Sequence, residues 1–337
     1  MKHSGVLGRA GKIAAVVVAG VAIMGLAACS QGGARNDQAS QAASGGQATT
    51  PRMTIAMVTH APAGDTFWDM VQKGAQAAAA KDNVELRYAG DEDASKQAVL
   101  LQNAIDSKVD GIAVTLTKPD AMAEGLAKAK AAGIPVVALN SGLDDWQRLG
   151  ALAFFGLDIE ASGVMSGDQL AKAGGTKGLC VIQEQGSVVL ESLCDGATRA
   201  FTTGPMEKLY VTGTDLPSVQ ATLSSKLTQD PSIDSIVTLN APIGLAASQA
   251  ATDSGNTAKI TTLNMSKDLV EPIKSDKILA TIDQQGWLQG YEAVDALWLY
   301  KTNANVLGSG QPVLTGPTLI DKTNIDSVTQ YVDQGTR

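Results

Sequence analysis

From Met53 onward, the sequence alternates between short apolar runs and longer amphipathic stretches. The runs at 54–59 and 111–116 are rich in β-branched residues, and each leads into a stretch with helical periodicity. Repeated strand–helix units of this kind are typical of parallel sheets with helices on both faces. Two successive sets, the second resuming after Phe155, predict an α/β fold with two doubly wound parallel-sheet lobes.

The predicted strands are 54–59, 84–88, 111–116, 135–139, 178–183, 208–212, 235–239, 260–263 and 278–282. The predicted helices are 66–81, 95–107, 119–132, 159–173, 191–203, 219–229, 243–252, 267–275 and 287–302. In doubly wound sheets, ligands bind beyond the carboxyl ends of the strands. The loops that follow the strands are therefore where a site is expected.

Residues 1–28 have the layout of a secretory signal peptide, in which basic residues precede the uncharged run 13–28. That run is shorter than the about 20 apolar residues of a membrane-spanning helix. The junction Leu26-Ala27-Ala28-Cys29 resembles the lipobox of bacterial lipoproteins, which implies cleavage before Cys29 and a lipid on its side chain. An ordinary signal peptide with an incidental cysteine is the alternative. Residues 29–51 are poor in apolar side chains and are predicted to form a flexible tether.

Charge and residue content exclude several classes of function. The chain has a net charge of -8, and losing the basic signal would make it more acidic, which argues against binding to nucleic acid. His60 is the only histidine after the predicted signal, so a multi-histidine metal site is excluded. The sequence has no Walker A loop, HExxH or GxSxG motif, and neither a cofactor nor a metal is expected.

The cysteines favour a disulfide bridge. Of the three in the chain, Cys180 and Cys194 remain once Cys29 is assigned to the lipid. An exported protein can keep disulfides, and a bridge closing this loop would contribute about 3 kcal/mol to stability. Two buried thiols are the alternative.

Aromatic and uncharged polar residues collect in the loops that follow the strands. The candidate ligand-binding residues are His60, Asp65, Phe67, Trp68, Asn140, Asn240, Asn264 and Gln284. The ring CH faces of a sugar or polyol stack on flat aromatic surfaces, and amides or carboxylates satisfy its hydroxyls. These loops have no concentration of Arg or Lys, which argues against a phosphorylated ligand.

Each candidate also has a structural interpretation. Asp65 is in position to cap the following helix, and the three asparagines are common turn residues. His60 is equally suited to orienting its loop and to binding.

In their order and spacing, these elements resemble the periplasmic sugar-binding proteins of ABC importers, of the ribose-binding-like type I group. The segments that carry the resemblance are 54–59, 67–75, 110–114, 132–137 and 280–285. The resemblance implies ligand contacts for all the candidates except His60, in a cleft between two lobes that close by hinge motion. It also implies three crossings of the chain between lobes, near 155–157, 282–284 and 317–321. The N-terminal lobe would then comprise 52–155 and 284–316, and the C-terminal lobe 156–283 and 317–337.

The resemblance also bears on the ligand. The ribose-binding pattern usually has aspartate at the positions of Asn140 and Asn264 and often an arginine near Leu193. An amide can donate as well as accept, so these differences indicate an altered ligand. A hexose, a pentose, a deoxy-sugar and a cyclic polyol such as inositol all remain open.

The sequence therefore predicts a monomeric solute receptor without a catalytic step. A lipid on Cys29 would hold it at the outer face of the cytoplasmic membrane, where it would pass a sugar or polyol to an ABC permease and ATPase. One alternative is a binding protein that signals to a receptor. Another is a secreted enzyme acting on carbohydrate, with Asp65, Glu184 or Asp283 as acid and base. A transcriptional repressor of the same fold is disfavoured by the export signal.

Overall fold

The structure is a computed structural model that describes residues 47–61 and 64–337. The predicted signal peptide, Cys29 and the tether up to residue 46 lie outside the described residues.

The end of the predicted tether is part of the folded body. The backbone N–H of Ala48 donates to the carbonyl of Lys81 at 2.7 Å. The indole N–H of Trp298 donates to the hydroxyl of Thr50 at 3.0 Å, and the side-chain amide of Asn83 donates to the Thr50 carbonyl at 2.9 Å. The folded body therefore begins about four residues before the expected boundary at residue 52, because Ala48 and Thr50 hydrogen-bond to it.

Two six-stranded sheets form the centre of the fold. The strands of the first sheet are β1 (Met53–Thr59), β2 (Val84–Gly90), β3 (Gly111–Val114), β4 (Val136–Asn140), β5 (Phe154–Leu157) and β11 (Val313–Gly316). The strands of the second are β6 (Gly178–Ile182), β7 (Met206–Tyr210), β8 (Ser235–Thr238), β9 (Lys259–Leu263), β10 (Ala280–Asp283) and β12 (Thr318–Asp321). Their spatial orders are β11-β5-β4-β3-β1-β2 and β12-β10-β9-β8-β6-β7. The predicted α/β fold class with two doubly wound sheets is confirmed.

One strand departs from the expected parallel arrangement. β12 pairs with β10 in the antiparallel direction, with Thr318 opposite Asp283. β11 ends at Gly316 and β12 begins at Thr318, so the chain enters the second sheet at the edge where β10 ends. From that edge β12 can only run in the opposite direction to β10.

Helices cover the faces of both sheets. They are α1 (Thr66–Lys81), α2 (Ala94–Asp106), α3 (Pro119–Ala131), α4 (Ile159–Lys172), α5 (Val188–Ala200), α6 (Leu216–Gln229), α7 (Ala241–Ser254), α8 (Val270–Lys274), α9 (Gly286–Asn303) and α10 (Ile325–Asp333). Short 3₁₀ segments lie at Lys267–Leu269 and Leu307–Gly310. Side-chain oxygens of Asp93, Asp158 and Asp215 cap α2, α4 and α6 by accepting backbone N–H groups of the first turn.

Each sheet is buried on both faces. Along β1, Ile55 and Met57 pack into the layer beneath α1 and α9, while Ala56 and Val58 pack into the layer beneath α2 and α3. This two-sided burial explains why the strands appear in the sequence as almost continuous apolar runs.

The chain crosses between the sheets three times. It leaves the first sheet after Leu157, returns between Asp283 and Gly286, and crosses again at Pro317. The expected boundary after residue 155 falls inside β5, because Gly156 and Leu157 still pair with β4 and β11. We call residues 52–157 with 286–316 the first lobe, and residues 158–283 with 318–337 the second lobe.

In the second lobe, Cys180 on β6 and Cys194 on α5 form a disulfide with a Cα–Cα distance of 5.8 Å. Both residues are fully buried. The bridge therefore attaches α5 to the sheet from inside the core.

Closely packed helix pairs with glycine at the contact occur in both lobes. A Cβ on Gly163 of α4 would lie 2.0 Å from the carbonyl oxygen of Leu193 on α5. In the first lobe, a Cβ on Gly74 of α1 would lie 1.8 Å from the carbonyl oxygen of Trp287 on α9. Because the obstructing atoms are backbone, a larger residue would force the helices apart.

We therefore expect Gly163→Ala to lower the free energy of unfolding by about 1–3 kcal/mol, because it overpacks the α4–α5 contact. Urea denaturation of both proteins would measure the change. Gly125→Ala is the matched control, since Gly125 also lies within a helix but the atoms nearest to its Cβ belong to the side chain of Leu101 and not to backbone. Equal stabilities of the two variants would contradict this account of the helix contact.

Candidate functional site

The predicted site residues follow the carboxyl ends of strands in both lobes. His60 follows β1, Asn140 is the last residue of β4, Asn264 follows β9, and Gln284 follows β10. Gln284 contacts both Asn140 and Asn264, and His60, Phe67 and Trp68 form a second group. Gln284 lies in a chain crossing, so the first group spans both lobes.

A chain of amides joins the lobes. The Asn140 Nδ2 donates to Gln284 Oε1 at 3.0 Å, and the Gln284 Nε2 donates to Asn264 Oδ1 at 2.5 Å. Asn140 belongs to the first lobe and Asn264 to the second. Uncharged side chains therefore connect the two halves where ligand contact is expected.

Two further residues support this chain and were not predicted from the sequence. Gln289 is fully buried, and its Nε2 donates to the Gln284 carbonyl at 3.0 Å and to Thr315 Oγ1 at 3.1 Å. Its Oε1 accepts from Asn140 Nδ2 at 3.2 Å. Gln289 shares the buried face of α9 with apolar residues such as Ala293, and a lone amide on such a face is the signal that could have identified it.

The backbone explains why asparagine occupies two of these positions. Asn140 and Asn264 have φ angles of 65° and 69°, in the left-handed region. Asparagine tolerates that region better than most residues with a side chain. The turn interpretation and the polar-contact interpretation therefore both apply to these two residues.

His60 is held as a neutral imidazole. The Thr115 Oγ1 accepts from the backbone N–H of His60 at 2.9 Å and from Gln97 Nε2 at 3.0 Å. Because both lone pairs of the Thr115 hydroxyl are occupied, this hydroxyl donates its hydrogen to His60 Nδ1 at 2.9 Å. The proton of the imidazole is therefore on Nε2. Burial, helped by the charge of Lys118, lowers the pKa of His60 to about 4.

The aromatic group adjoins the amide chain. The Trp68 ring meets the His60 ring edge-on at 4.9 Å and the Phe67 ring edge-on at 5.2 Å between centroids. Phe67 packs on Gly286, where a Cβ would lie 2.7 Å from its ring. Gly286 comes two residues after Gln284, so the aromatic rings and the amides share one region. Trp68 is only 6% exposed and packs in the core of the first lobe, as does Trp146, whereas Phe67 is partly exposed.

Asp65 and Asn240 act as helix caps. The Asp65 Oδ1 accepts from Phe67 N–H at 2.8 Å at the start of α1, and the Asn240 Oδ1 accepts from Ile243 N–H at 2.9 Å at the start of α7. Partial desolvation raises the pKa of Asp65, and its bond from Phe67 N–H opposes that change. Asn240 retains its amide hydrogens for other partners.

The three carboxylates considered as acid and base, at Asp65, Glu184 and Asp283, have different environments. Asp283 is 2% exposed, and its oxygens accept from Arg337 Nε at 2.6 Å and from Gln285 N–H at 3.0 Å. Asp65 and Glu184 are exposed. Within residues 47–61 and 64–337, no cluster of three or more His, Cys, Asp or Glu side chains could hold a metal ion.

The lobes also approach each other at the starts of α3 and α5. A cavity of about 270 Å³ lies between Thr117–Ala121 at the start of α3 and Ser187–Val189 at the start of α5. The Thr117 Oγ1 is 3.0 Å from the hydroxyl of Ser141, the neighbour of Asn140. The cavity is therefore next to the amide chain, at the carboxyl edge of the first sheet.

A family model described as a periplasmic binding protein domain matches residues 55–304. The chain belongs to the periplasmic binding protein family. This confirms the family resemblance predicted from the sequence. Membership implies that the protein acts in the periplasm or outside the cell.

Relatives of this periplasmic binding protein bind sugars and polyols. A carbohydrate transporter structure from Acidothermus cellulolyticus, in complex with myo-inositol, shares 49% identity and a TM-score of 0.82, and covers 85% of this chain and 100% of that chain. The xylitol-binding protein of Mycolicibacterium smegmatis is 25% identical over 95% of this chain and 88% of its own length. An ABC transporter solute-binding protein from Burkholderia graminis, in complex with D-arabinose, has 21% identity and a TM-score of 0.72, and covers 82% of this chain and 97% of that chain. At that identity the last comparison shows the fold alone.

The names of the first two of these relatives describe a carbohydrate transporter and a polyol-binding protein. No helix in the described part of this periplasmic binding protein has the length and apolar character that a membrane span requires.

The low pKa of His60 makes stability depend on pH. Below pH 6.5 an unfolded histidine takes up a proton while the folded one stays neutral, so stability falls from pH 6.5 towards pH 4. His60→Asn keeps an acceptor near the Nδ1 position and removes the titration. When the pH falls from 7 to 5, we expect the unfolding free energy of the wild type to drop by up to about 2 kcal/mol more than that of the variant.

Urea denaturation of both proteins at the two pH values measures this difference. The other titrating groups are the same in both proteins, so their contributions cancel in the difference between the two pH profiles. Parallel pH profiles for the variant and the wild type would show that His60 is not held neutral.

Proposed function

We propose that this protein is the solute receptor of an ABC importer and that it binds a cyclic polyol of the inositol type between its two lobes. The observation that carries the proposal is the uncharged amide chain of Asn140, Gln284 and Asn264, which runs from one lobe to the other. The relative with bound myo-inositol, at 49% identity, supports the same ligand class.

The chemistry of the site suits a neutral polyhydroxylated ring. Each hydroxyl of such a ring both donates and accepts, and side-chain amides can meet either need. The partly exposed Phe67 offers a flat surface for the ring CH faces, Trp68 supports it from within the core, and His60 is neutral at physiological pH. The carboxylate of Asp65 caps a helix and that of Asp283 is paired with Arg337, so neither is free to act as the counter-ion of a cationic ligand.

The three crossings would act as the hinge. A ligand shifts the lobes towards a closed arrangement only by binding that arrangement more tightly than the open one. Contacts from Asn140 in the first lobe and Asn264 in the second would provide this difference in affinity. The closed receptor would then present one continuous surface to a permease.

Titration calorimetry tests the ligand class. With myo-inositol, xylitol, D-arabinose, D-ribose and an inositol phosphate as ligands, we expect the tightest binding for myo-inositol and none for the phosphate. Asn264→Ala should weaken polyol binding by about ten-fold or more, since it removes a hydrogen bond to the ligand.

Asn303→Ala is the control, because Asn303 is exposed at the other end of α9. If no sugar or polyol of the panel bound at micromolar concentration, the proposed function would be wrong. If Asn264→Ala bound as tightly as Asn303→Ala, the assignment of Asn264 would be wrong.

We further propose that Cys29 carries a lipid that holds the receptor at the membrane. After expression in a bacterium, Cys29→Ala should move the protein from the detergent phase to the aqueous phase, because the acyl chains supply the membrane affinity. The intact mass should lose the lipid in parallel. Ser30→Ala, one residue further on, should behave like the wild type. An unchanged partition of Cys29→Ala would refute the anchor.

A further inference from the structure

We infer that Gln289 fixes the direction of the amide chain, so that Asn140 offers the ligand only an acceptor oxygen and Asn264 offers only donor N–H groups. The ligand role of these atoms rests on the proposed function. The direction of the chain follows from the hydrogen bonds among its members. Gln289 is a positioning residue, since it acts through Asn140 and Gln284.

The orientation of Gln289 is set by a backbone carbonyl. Its Nε2 lies 3.0 Å from the carbonyl oxygen of Gln284, which can only accept. A flipped Gln289 would place its Oε1 against that carbonyl, with two oxygens in contact in a buried site. The nitrogen must therefore face Gln284, and the Gln289 oxygen faces the other way.

The orientation of Asn140 follows. Its Nδ2 lies 3.2 Å from Gln289 Oε1 and 3.0 Å from Gln284 Oε1. Gln284 Oε1 is in turn fixed as an oxygen, because the Asn140 Nδ2 that it faces can only donate. Both hydrogens of the Asn140 amide are therefore committed to these two oxygens, and Oδ1 is the atom left over.

The orientation of Asn264 is the opposite. With Gln284 Oε1 facing Asn140, the Gln284 Nε2 faces Asn264 and donates to its Oδ1. The Nδ2 of Asn264 is then the atom left over. Among the described residues, Asn140 Oδ1 and Asn264 Nδ2 have no hydrogen-bond partner, and neither is among the buried polar atoms that lack one. Both atoms therefore open to solvent and are available to a ligand.

The two asparagines thus differ in polarity although they are the same residue. A hydroxyl at Asn140 must donate its hydrogen, and a hydroxyl at Asn264 must accept. The sequence led us to expect that each amide would both donate and accept. The hydrogen bonds narrow that expectation, because each side chain has already used one of its two functions.

Keto analogues of inositol test this assignment, because a carbonyl accepts but cannot donate. We expect a ketone at the ring position facing Asn140 to weaken binding at least ten-fold, and a ketone at the position facing Asn264 to weaken it less than three-fold. Calorimetry of each mono-keto analogue, repeated with Asn140→Ala and Asn264→Ala, assigns the ring positions through double-mutant cycles. Equal penalties at both positions would overturn the inference.

Gln289→Met tests the positioning role. Without the Gln289 amide, Asn140 can turn over, so the ten-fold penalty at its ring position should fall below three-fold. Asn256→Ala is the control, since Asn256 also bonds to backbone groups but lies at the far end of the second lobe. A purely structural role for Gln289 would reduce all affinities equally and leave the penalty unchanged, which would contradict the inference.

Hydrogen exchange in the ligand-free protein separates this inference from the proposed function. In ¹⁵N–¹H spectra, assigned with Asn140→Asp and Asn264→Asp, the Asn140 side-chain hydrogens should exchange slowly and those of Asn264 rapidly. The reverse order would overturn the inference whether or not a polyol binds. If the order is as expected but no polyol binds, the direction of the chain is supported and only the proposed function fails.

Discussion

Buried polar groups meet where the chain crosses between the sheets, and each of them needs a hydrogen-bond partner. Gln289, Thr315, Asp283 and Gln284 are all at most 5% exposed. Leaving one such group without a partner costs about 1–3 kcal/mol, so the crossings tolerate few arrangements. The direction of the amide chain is one consequence, because it starts from a backbone carbonyl that cannot change its role. The ion pair between Asp283 and Arg337 is another, since it neutralises a carboxylate that the crossing buries.

The two lobes repeat one plan, and the site depends on that repetition. β4 and β9 occupy the same place in their sheets, third from the edge formed by β11 and β12. β4 ends in Asn140 and β9 is followed by Asn264, and these residues have left-handed backbone conformations with φ angles of 65° and 69°. The repeated fold thus places the same side chain on both sides of the cleft. Gln284 lies between them and gives them opposite polarity, because an amide that accepts at one end must donate at the other.

The strand–helix alternation could be predicted because both faces of each sheet are covered, which makes the strands continuously apolar. β5, β11 and β12 were missed: each has four residues and depends on partners distant in the sequence. α10 was missed as well, although Ile325, Val328 and Val332 on its buried face have helical spacing. The polar residues at strand ends were predictable, since parallel strands direct their carboxyl ends to one edge. A lone amide on the apolar face of α9 could have drawn attention to Gln289, but its role could not be predicted, because that role depends on how α9 packs beside Gln284.

The polarity of the site could not have been predicted from residue types at all. The oxygen and nitrogen of an asparagine side chain are nearly alike in size, and only their neighbours decide which one faces a ligand. In this site the side chains that orient one another come from three separate parts of the polypeptide, at Asn140, Asn264 and Gln284. A hinge rotation that separated Asn264 from Gln284 would leave the Asn264 amide free to turn over. The donor character of Asn264 therefore belongs to the arrangement in which the lobes are joined, and a ligand that needs a donor there favours that arrangement by differential affinity.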